Sequence, residues 1–303
     1  MIASSAVSGP DRAPRDVIAD WADQYAAVDA IQLTWISHGQ ETERPGRGVV
    51  AWFHLEKTAI RWPDAIYVEH AELIREKEAL RQPPPNIQDF EVASRHWATS
   101  RTPLGESRSI GLLSSTSIER NPAAGSFDDE ALAGAHRSPW IVARVVLHDL
   151  ESQRAFHIDA ASPETIVFTL RSSFVVELSQ LDGRWRCTEV TRKDAAGNTL
   201  FEASFADFRS TPGFRDEQPT TRVMRRVSPA LLLNPKASPK QRLGEPVVST
   251  ASEISVFPHA PVELFDLQDQ TLQKAVERAA ENLRQERRDH PAPVQSTPSE
   301  NLK

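Results

Sequence analysis

The sequence predicts an α+β fold that is mainly β, a curved antiparallel sheet with a few helices packed on one face. The main evidence is residues 163–227, which read as consecutive strands with no room for a crossover helix between them. Their apolar residues alternate with polar ones, so one face of the sheet is apolar. A second run of strand patterns occupies residues 31–70. A sheet with one apolar face must lie against another layer, which the predicted helices supply.

The first half of the chain begins with a flexible tail over residues 1–14 and an amphipathic helix over 15–28. Strands are predicted over 31–35, 49–55, 58–62 and 65–70, with a loop over 39–48. Residues 69–80 have the composition of a helix but also fit a long strand, and both alternatives stay open. Weaker strands are predicted over 90–99 and 107–116. The residues that share the apolar face of the first helix are Val17, Ile18, Trp21, Tyr25 and Val28.

The second half begins with a loop over 121–137 that carries a short helix near 129–135. Ser138 and Pro139 form a favourable helix start, an N-cap serine with proline at the first helical position. Asp182-Gly183 lies between two apolar runs and predicts a tight hairpin turn, because a type I′ turn needs positive φ at both central residues. The predicted strands around it cover residues 165–171, 174–179, 185–193, 199–209 and 220–227.

The C-terminal third contains a proline-rich excursion over 228–252 and a short closing strand over 253–257. We therefore assign residues 15–267 to one domain. An amphipathic helix over 268–288 and a disordered tail over 289–303 are predicted to follow it.

Motifs for enzymatic chemistry are absent from the sequence: it has no G-x-S-x-G elbow, phosphate-binding loop, dinucleotide fingerprint or H-E-x-x-H motif. Cys187 is interpreted as a core residue of a strand. His54 and Glu56, like His70 and Glu72, share a strand face, but a metal site needs a third or fourth ligand. We therefore predict a protein that is not an enzyme and has no metal and no cofactor.

Charge and hydropathy exclude other classes of function. The net charge is −7, which argues against binding to nucleic acid, and the basic run at 222–226 is interpreted as a solvated strand face. The longest apolar run, residues 140–147, is far shorter than the roughly 20 residues of a membrane-spanning helix. Residues 1–10 lack the basic and apolar regions of a signal peptide.

Large aromatic residues recur along the strands, and they favour an apolar binding surface. A long curved sheet offers more apolar surface than a few short helices can cover, and the surplus can hold a lipid or an acyl chain. The candidate lining residues are Leu33, Trp35, Trp52, Trp62, Phe168, Phe174 and Phe205.

The order of elements resembles the LolA and LolB family of periplasmic lipoprotein carriers, including its larger members of the outer-membrane lipoprotein-sorting type. The resemblance rests on a leading helix followed by aromatic strands, the Ser138-Pro139 helix, and the meander through Asp182-Gly183 to residues 220–227. It also rests on Val256-Phe257-Pro258 in the closing strand. It covers roughly residues 15–267 and implies an incomplete (half) β-barrel capped by helices, with acyl chains held in its cavity.

The resemblance implies a hydrophobic ligand (a lipid, an acyl chain or a lipoprotein), a role in lipoprotein transport or sorting, and a periplasmic or cell-envelope location. A cytoplasmic location stays open. The alternative is an interaction or structural module of the cell envelope, whose core is filled and whose helix over 268–288 docks a protein partner.

Overall fold

The computed structural model describes residues 12–42, 49–75, 95–103, 105–112, 115–121, 125–215, 217–227, 243–257 and 265. The predicted C-terminal helix and tail lie outside these residues, as do most of the predicted excursion and most of the N-terminal tail.

The first half consists of one helix followed by strands. The helix α1 spans Pro14–Asp23, and the strands are β1 (Ala30–Thr42), β2 (Val49–Arg61), β3 (Ala65–Arg75), β4 (Arg95–Thr102), β5 (Gly105–Leu112) and β6 (Ser115–Asn121).

Two helices and a second set of strands follow. The helices are α2 (Phe127–Ala133) and α3 (Pro139–Glu151), with a short 3₁₀ helix at Ala135–Arg137 between them. The strands are β7 (His157–Ala161), β8 (Thr165–Leu170), β9 (Phe174–Leu181), β10 (Arg184–Lys193), β11 (Thr199–Arg209), β12 (Gln218–Arg226) and β13 (Val247–Phe257).

All of these strands belong to one antiparallel sheet of 13 strands, in the order β6-β5-β4-β3-β2-β1-β13-β12-β11-β10-β9-β8-β7. The last strand therefore joins the two halves, because β13 pairs with both β1 and β12. In the described part of the chain β6 and β7 pair on one side only, so the sheet is open. This confirms the predicted mainly β fold and agrees with an incomplete barrel capped by helices.

Several predicted boundaries are wrong. Residues 49–61 form the single strand β2 rather than two strands, and β1 continues through part of the predicted loop to Thr42. For residues 69–80, where helix and strand were both left open, the described part is strand, to Arg75. The final strand begins at Val247, inside the predicted excursion. The edge strand β7 was missed, since most of its residues are exposed and it lacks an apolar face.

The helices α1 and α3 pack on one face of the sheet, which we call the inner face. The apolar side of α1 buries Val17, Ile18 and Trp21, as predicted, although this helix ends at Asp23 rather than Val28. The helix α3 starts where the sequence predicts, and the Ser138 hydroxyl accepts a hydrogen bond from the backbone N–H of Trp140. These residues form one buried cluster with inner-face residues from both halves of the sheet.

The predicted hairpin between β9 and β10 is present. Asp182 and Gly183 have φ angles of 51° and 75°, the positive values that a type I′ turn requires. In β8 and β9, buried apolar residues on the inner face alternate with half-buried residues on the outer face. The inner face of these strands is therefore an apolar layer that lies under the helices.

The outer face carries a smaller apolar cluster. Phe265 is 2% exposed and packs on small residues of the sheet with Tyr67. The small residues are Ala30, Ala59, Ala65 and Ala98. Phe265 therefore fixes one point of the C-terminal part of the chain to the outer face.

Candidate functional site: a polar belt on the inner face

Two adjacent rows of side chains cross the inner face beside the helix-covered core. Residues directly opposite each other in an antiparallel pair project to the same face, so strand register defines each row. The first row runs across β4, β3, β2 and β1 and contains Trp97, His70, Glu56 and Trp35. The second runs across β2, β1, β13, β12 and β11 and contains His54, Ser37, Ser249, Arg222 and Phe205. We call the polar members of both rows the polar belt: Ser37, His54, Glu56, His70, Arg222 and Ser249.

Glu56 is the centre of the polar belt and is fully buried, with 0% of its surface exposed. Its Oε2 accepts a hydrogen bond of 2.9 Å from Nη2 of Arg222, and its Oε1 accepts one of 2.6 Å from Nε of Arg137. Arg222 comes from β12, and Arg137 comes from the 3₁₀ helix between α2 and α3. One carboxylate therefore ties two sheet strands and the helical layer together.

Trp35 forms one wall of this ion cluster. The guanidinium of Arg222 lies over its ring, 4.8 Å from the centroid, and its indole N–H donates to the carbonyl of Arg137 at 2.9 Å. A desolvated arginine over a tryptophan face is a favourable cation–π arrangement. Both contacts of Trp35 therefore help to hold Arg222 and Arg137 in place.

The ion cluster of Glu56, Arg137 and Arg222 has more positive than negative charge. Burial raises the pKa of Glu56, but the attraction of Arg222 and Arg137 outweighs it and holds that pKa well below its usual value. Glu56 is therefore an anion near neutral pH, and it faces two arginines, which stay protonated in proteins. Among the described residues no second carboxylate hydrogen-bonds or pairs with Arg222 or Arg137.

Two histidines extend the cluster toward the edge of the helix-covered region. Nε2 of His54 and Nδ1 of His70 are 2.9 Å apart, and their rings stack with centroids 5.1 Å apart. Burial lowers the pKa of His54 to about 4 and that of His70 to about 2. Both rings are therefore neutral near pH 7, and the N–H of one imidazole donates to the unprotonated nitrogen of the other.

Trp97 lies at the β4 end of the first row, and its side chain is exposed. Its ring stacks on His70 with the centroids 3.6 Å apart, yet 39% of its surface is accessible. His70 itself is 3% exposed. An accessible aromatic ring on the inner face thus leads directly to the buried charges.

His136 links the cluster to the exposed end of β12. Its Nε2 is 2.9 Å from Nη2 of Arg226, and since arginine only donates, Nε2 accepts and Nδ1 carries the proton. Burial lowers the pKa of His136 to about 3, so the ring is neutral near pH 7. Arg226 is exposed. It adds a third positive charge at the border of the cluster.

Some buried polar atoms of the cluster have no hydrogen-bond partner among the described residues. They are Nε of Arg222, Nδ1 of His136 and Nε2 of His70. A buried donor without a partner costs about 1–3 kcal/mol. Such atoms in one region indicate a place where a further polar group can bind.

The structure places the predicted lining residues in three environments. Leu33, Phe168, Phe174 and Phe205 lie in the core cluster under the helices, each no more than 5% exposed. Whether any of them contacts a ligand stays a prediction.

The other predicted lining residues lie elsewhere. Trp35 belongs to the ion cluster, and Trp62 is half-buried near the helices, where it contacts Phe127 edge-on with ring centroids 5.2 Å apart. The side chain of Trp52 lies outside the described residues.

Sequence reasoning missed the role of the basic run at 222–226. It was interpreted as a solvated face, but Arg222 is 1% exposed and paired with Glu56. The alternation of the strand explains the error, because Arg222 and Met224 point inward while Arg225 is exposed. The shared strand face of His54 and Glu56 was the signal that could have located the belt.

A second ion cluster fastens the helices to the β8–β9 turn. Arg171 donates to Asp128, Asp149 and Asp129 at 2.7–2.8 Å. Nδ1 of His148 is 2.6 Å from Oδ2 of Asp128. Acidic groups outnumber arginines here, so each arginine has a carboxylate partner and the cluster has the features of a structural clamp.

Cys187 is buried in β10, and burial raises the pKa of its thiol. It therefore has the environment of a core residue, as predicted. Within the described ranges, no three histidine, cysteine, aspartate or glutamate side chains are grouped closely enough to hold a metal ion.

Comparison with known proteins gives similar solved structures at low identity. An outer-membrane lipoprotein-sorting protein domain from Vibrio parahaemolyticus aligns with a TM-score of 0.43 and 12% identity, over 85% of this chain and 97% of that one. A LolA superfamily protein from Nitrosomonas europaea aligns with a TM-score of 0.44 and 11% identity, over 85% and 99% of the two chains. A DUF1329 family protein from Desulfovibrio piger aligns with a TM-score of 0.41 and 10% identity, over 85% and 99%.

No protein-family model and no curated protein matches the chain. In the part of the chain that the structure describes, no helix combines the length and the hydropathy needed to cross a membrane.

Proposed function

We propose that this chain is a non-enzymatic binding protein that holds a hydrophobic ligand, such as a lipid or an acyl chain, on the inner face of its open sheet. The observation that carries the proposal is the accessible ring of Trp97, which lies on the same face as the buried core and stacks on His70. An apolar ring that stays open to solvent on the inner face, beside the region that the helices cover, offers a contact surface for an apolar ligand.

The dimensions of the two layers support this proposal. The helix α1 has 10 residues and α3 has 13, so they are about 15 Å and 20 Å long. The strand β1 has 13 residues and is about 43 Å long, and the sheet has 13 strands. Two helices of these lengths cannot cover such a sheet, so part of its inner face extends beyond them.

The predicted lining residues in the core cluster lie deeper in the protein than Trp97, so a ligand reaches them less easily. A ligand reaches Trp97 without any movement of the helices. Leu33, Phe168, Phe174 and Phe205 lie under α1 and α3, so a ligand reaches them only when these helices move away from the sheet. We therefore propose that the ligand first binds at Trp97 and extends toward the core when the helical layer opens.

The proposed biological setting is transport or sorting of lipids or lipoproteins in the periplasm or cell envelope. It extends the resemblance of the element order to the carrier family. Under this proposal the protein shields an acyl chain from water and needs no catalytic group.

The test is competition between dodecanoate and a fluorescent apolar probe, N-phenyl-1-naphthylamine, on the folded protein. We expect the probe to bind, dodecanoate to displace it, and Trp97→Ala to weaken the binding by about tenfold, because it removes a large aromatic contact. The matched control is Leu181→Ala, since Leu181 is 37% exposed but lies at the far end of β9, away from the belt. No binding of the probe, or equal loss in both variants, would contradict the proposal.

A further inference from the structure

We propose that the cluster of Arg222, Arg137 and Arg226 binds the anionic head group of an amphiphilic ligand, a carboxylate or a phosphate. This inference rests on the proposed function, and it specifies the class of ligand: an acidic amphiphile whose chain lies along the inner face. The shared chemistry is an oxyanion, which guanidinium groups bind through paired charge-assisted hydrogen bonds.

The arginine cluster carries a surplus of positive charge. Glu56 provides one negative charge, whereas Arg137 and Arg222 each provide a positive one, and Arg226 adds another at the exposed border. His54, His70 and His136 do not change this balance near pH 7, because burial lowers the pKa of each. Burying a charge without a counter-ion is costly, so this region favours an additional anion.

The cluster also contains two buried hydrogen-bond donors that have no partner among the described residues. Nε of Arg222 has no partner among the described residues, although Arg222 is 1% exposed. The Nδ1–H of His136, deduced above from its contact with Arg226, is likewise without a described partner. Both are donors near pH 7, so both suit an oxyanion.

The carboxylate of Glu56 already occupies part of this cluster. Glu56 already shows what the cluster binds, because its two oxygens accept from Arg222 and Arg137 at 2.9 Å and 2.6 Å. A ligand carboxylate or phosphate would share these arginines with Glu56 or compete with it. Removing the charge of Glu56 should therefore strengthen the binding of an external anion.

The route to the site follows the first row. Trp97 is accessible, it stacks on His70, and His70 lies opposite Glu56 in the register of β2 and β3. A head group at the arginines would therefore let the chain extend along this row toward Trp97. Arg226 provides a second, exposed approach from the end of β12.

The contrast with the other ion cluster strengthens the assignment. Arg171 is surrounded by Asp128, Asp129 and Asp149, so its charge is already neutralised. No such surplus of carboxylates surrounds Arg222 in the described part of the chain. The two clusters have opposite charge balance, and only the inner-face cluster has the balance of an anion site.

The experiment compares dodecyl phosphate and dodecanoate with the neutral dodecyl maltoside, each below its micelle concentration, and with inorganic phosphate alone. Displacement of N-phenyl-1-naphthylamine reports the amphiphiles, and calorimetry reports inorganic phosphate. We expect the two anionic amphiphiles to bind about tenfold more tightly than the neutral one, and inorganic phosphate to bind weakly.

The matched variants are Arg226→Gln and Arg225→Gln, which remove neighbouring exposed charges on opposite faces of β12. Arg226→Gln should weaken the binding of the anionic amphiphiles several-fold and leave dodecyl maltoside unchanged, and Arg225→Gln should change neither. Glu56→Gln should tighten the binding of the anionic amphiphiles only, an outcome that a purely structural role for Glu56 does not give.

The outcomes separate this inference from the proposed function. Equal affinity for anionic and neutral amphiphiles, with no change in Arg226→Gln or Glu56→Gln, overturns the head-group site and leaves the apolar ligand in place. Failure of every amphiphile to bind overturns both. Tight binding of inorganic phosphate alone shows a free-anion site and also overturns the amphiphile assignment.

Discussion

Glu56 and Arg222 are 166 positions apart in the sequence, yet their side chains meet at 2.9 Å inside the protein. They meet because β13 inserts between β1 and β12 and brings the two halves of the sheet into one layer. Glu56 also accepts from Arg137, so this pair connects both halves to the helical layer. The ion cluster therefore combines a structural role with the proposed ligand site.

Replacing Glu56 with alanine should destabilise the fold strongly. The substitution leaves Arg222 buried without its carboxylate, and breaking a buried pair from one side costs about 3–5 kcal/mol. The measurement is the free energy of unfolding by urea at pH 7.5.

The matched comparison for Glu56→Ala is Arg225→Ala, which removes an exposed charge from β12. We expect its free energy of unfolding to stay within about 0.5 kcal/mol of the unmodified protein. Similar values for both variants would show that the buried ion pair does not hold the sheet halves together.

Stability should fall in mild acid. The pKa values of His54, His70 and His136 are lowered by burial to about 4, 2 and 3. Below pH 6.5 the unfolded chain binds protons that the folded protein excludes, so each of these histidines lowers the free energy of unfolding by up to about 1.4 kcal/mol per pH unit. The stability is fully present above that pH and is lost progressively toward pH 4.

The control for this pH dependence is a pair of histidine variants. His136→Gln should reduce the slope of stability against pH between 6.5 and 4.5, because it removes a buried titrating ring. His157→Gln should not, since the side chain of His157 is 81% exposed. Glu56 adds a further loss at lower pH, because the pKa of its folded state is depressed. A free energy of unfolding that stays constant from pH 7.5 to 4.5 would contradict the neutral state of the belt.

The clamp at Arg171 gives a prediction about the helical layer. Arg171→Ala leaves the buried carboxylates of Asp128 and Asp149 without their main partner, so it should cost about 3 kcal/mol of unfolding free energy. Arg154→Ala is the control, because Arg154 is 53% exposed and its guanidinium is 3.7–3.8 Å from the same carboxylates. It should cost less than about 1 kcal/mol. The measurement is the free energy of unfolding by heat or urea. If both variants lowered it equally, Arg171 would not be the residue that fastens the helices to the β8–β9 turn.

The sequence predicts most of the fold because the signals are local. The Asp182-Gly183 turn, the Ser138 cap and the alternation of β8 to β11 each depend on residues close together in the chain, and each is present in the structure. The extent of β13 was missed because its first residues follow a proline-rich segment that favours a loop. Its pairing with β1 and β12 is a long-range property that no local pattern contains.

The polar belt could be predicted only in part. The shared face of His54 and Glu56 is visible in the sequence, but strand alternation alone does not say whether that face is buried. The sequence predicts a solvated Arg222 because it belongs to the basic run at 222–226, and arginine is usually exposed. Its burial follows from the strand order, which places Ser249 and then Ser37 beside it.

Deleting residues 268–303 tests the alternative in which a C-terminal helix docks a protein partner. Phe265 remains in the shortened protein, and it is the residue whose side chain packs on the outer face. We expect the shortened protein to stay folded and to bind dodecanoate with unchanged affinity. Loss of ligand binding in a folded shortened protein would contradict an inner-face site that is independent of the C-terminal segment.

The most direct test of the central claim is native mass spectrometry of the gently purified protein, repeated after incubation with dodecanoate and phospholipid. We expect a mass increase that organic extraction identifies as a lipid or acyl species and that Trp97→Ala reduces. A bare polypeptide mass under every condition would contradict it and would indicate that the inner face is filled by side chains.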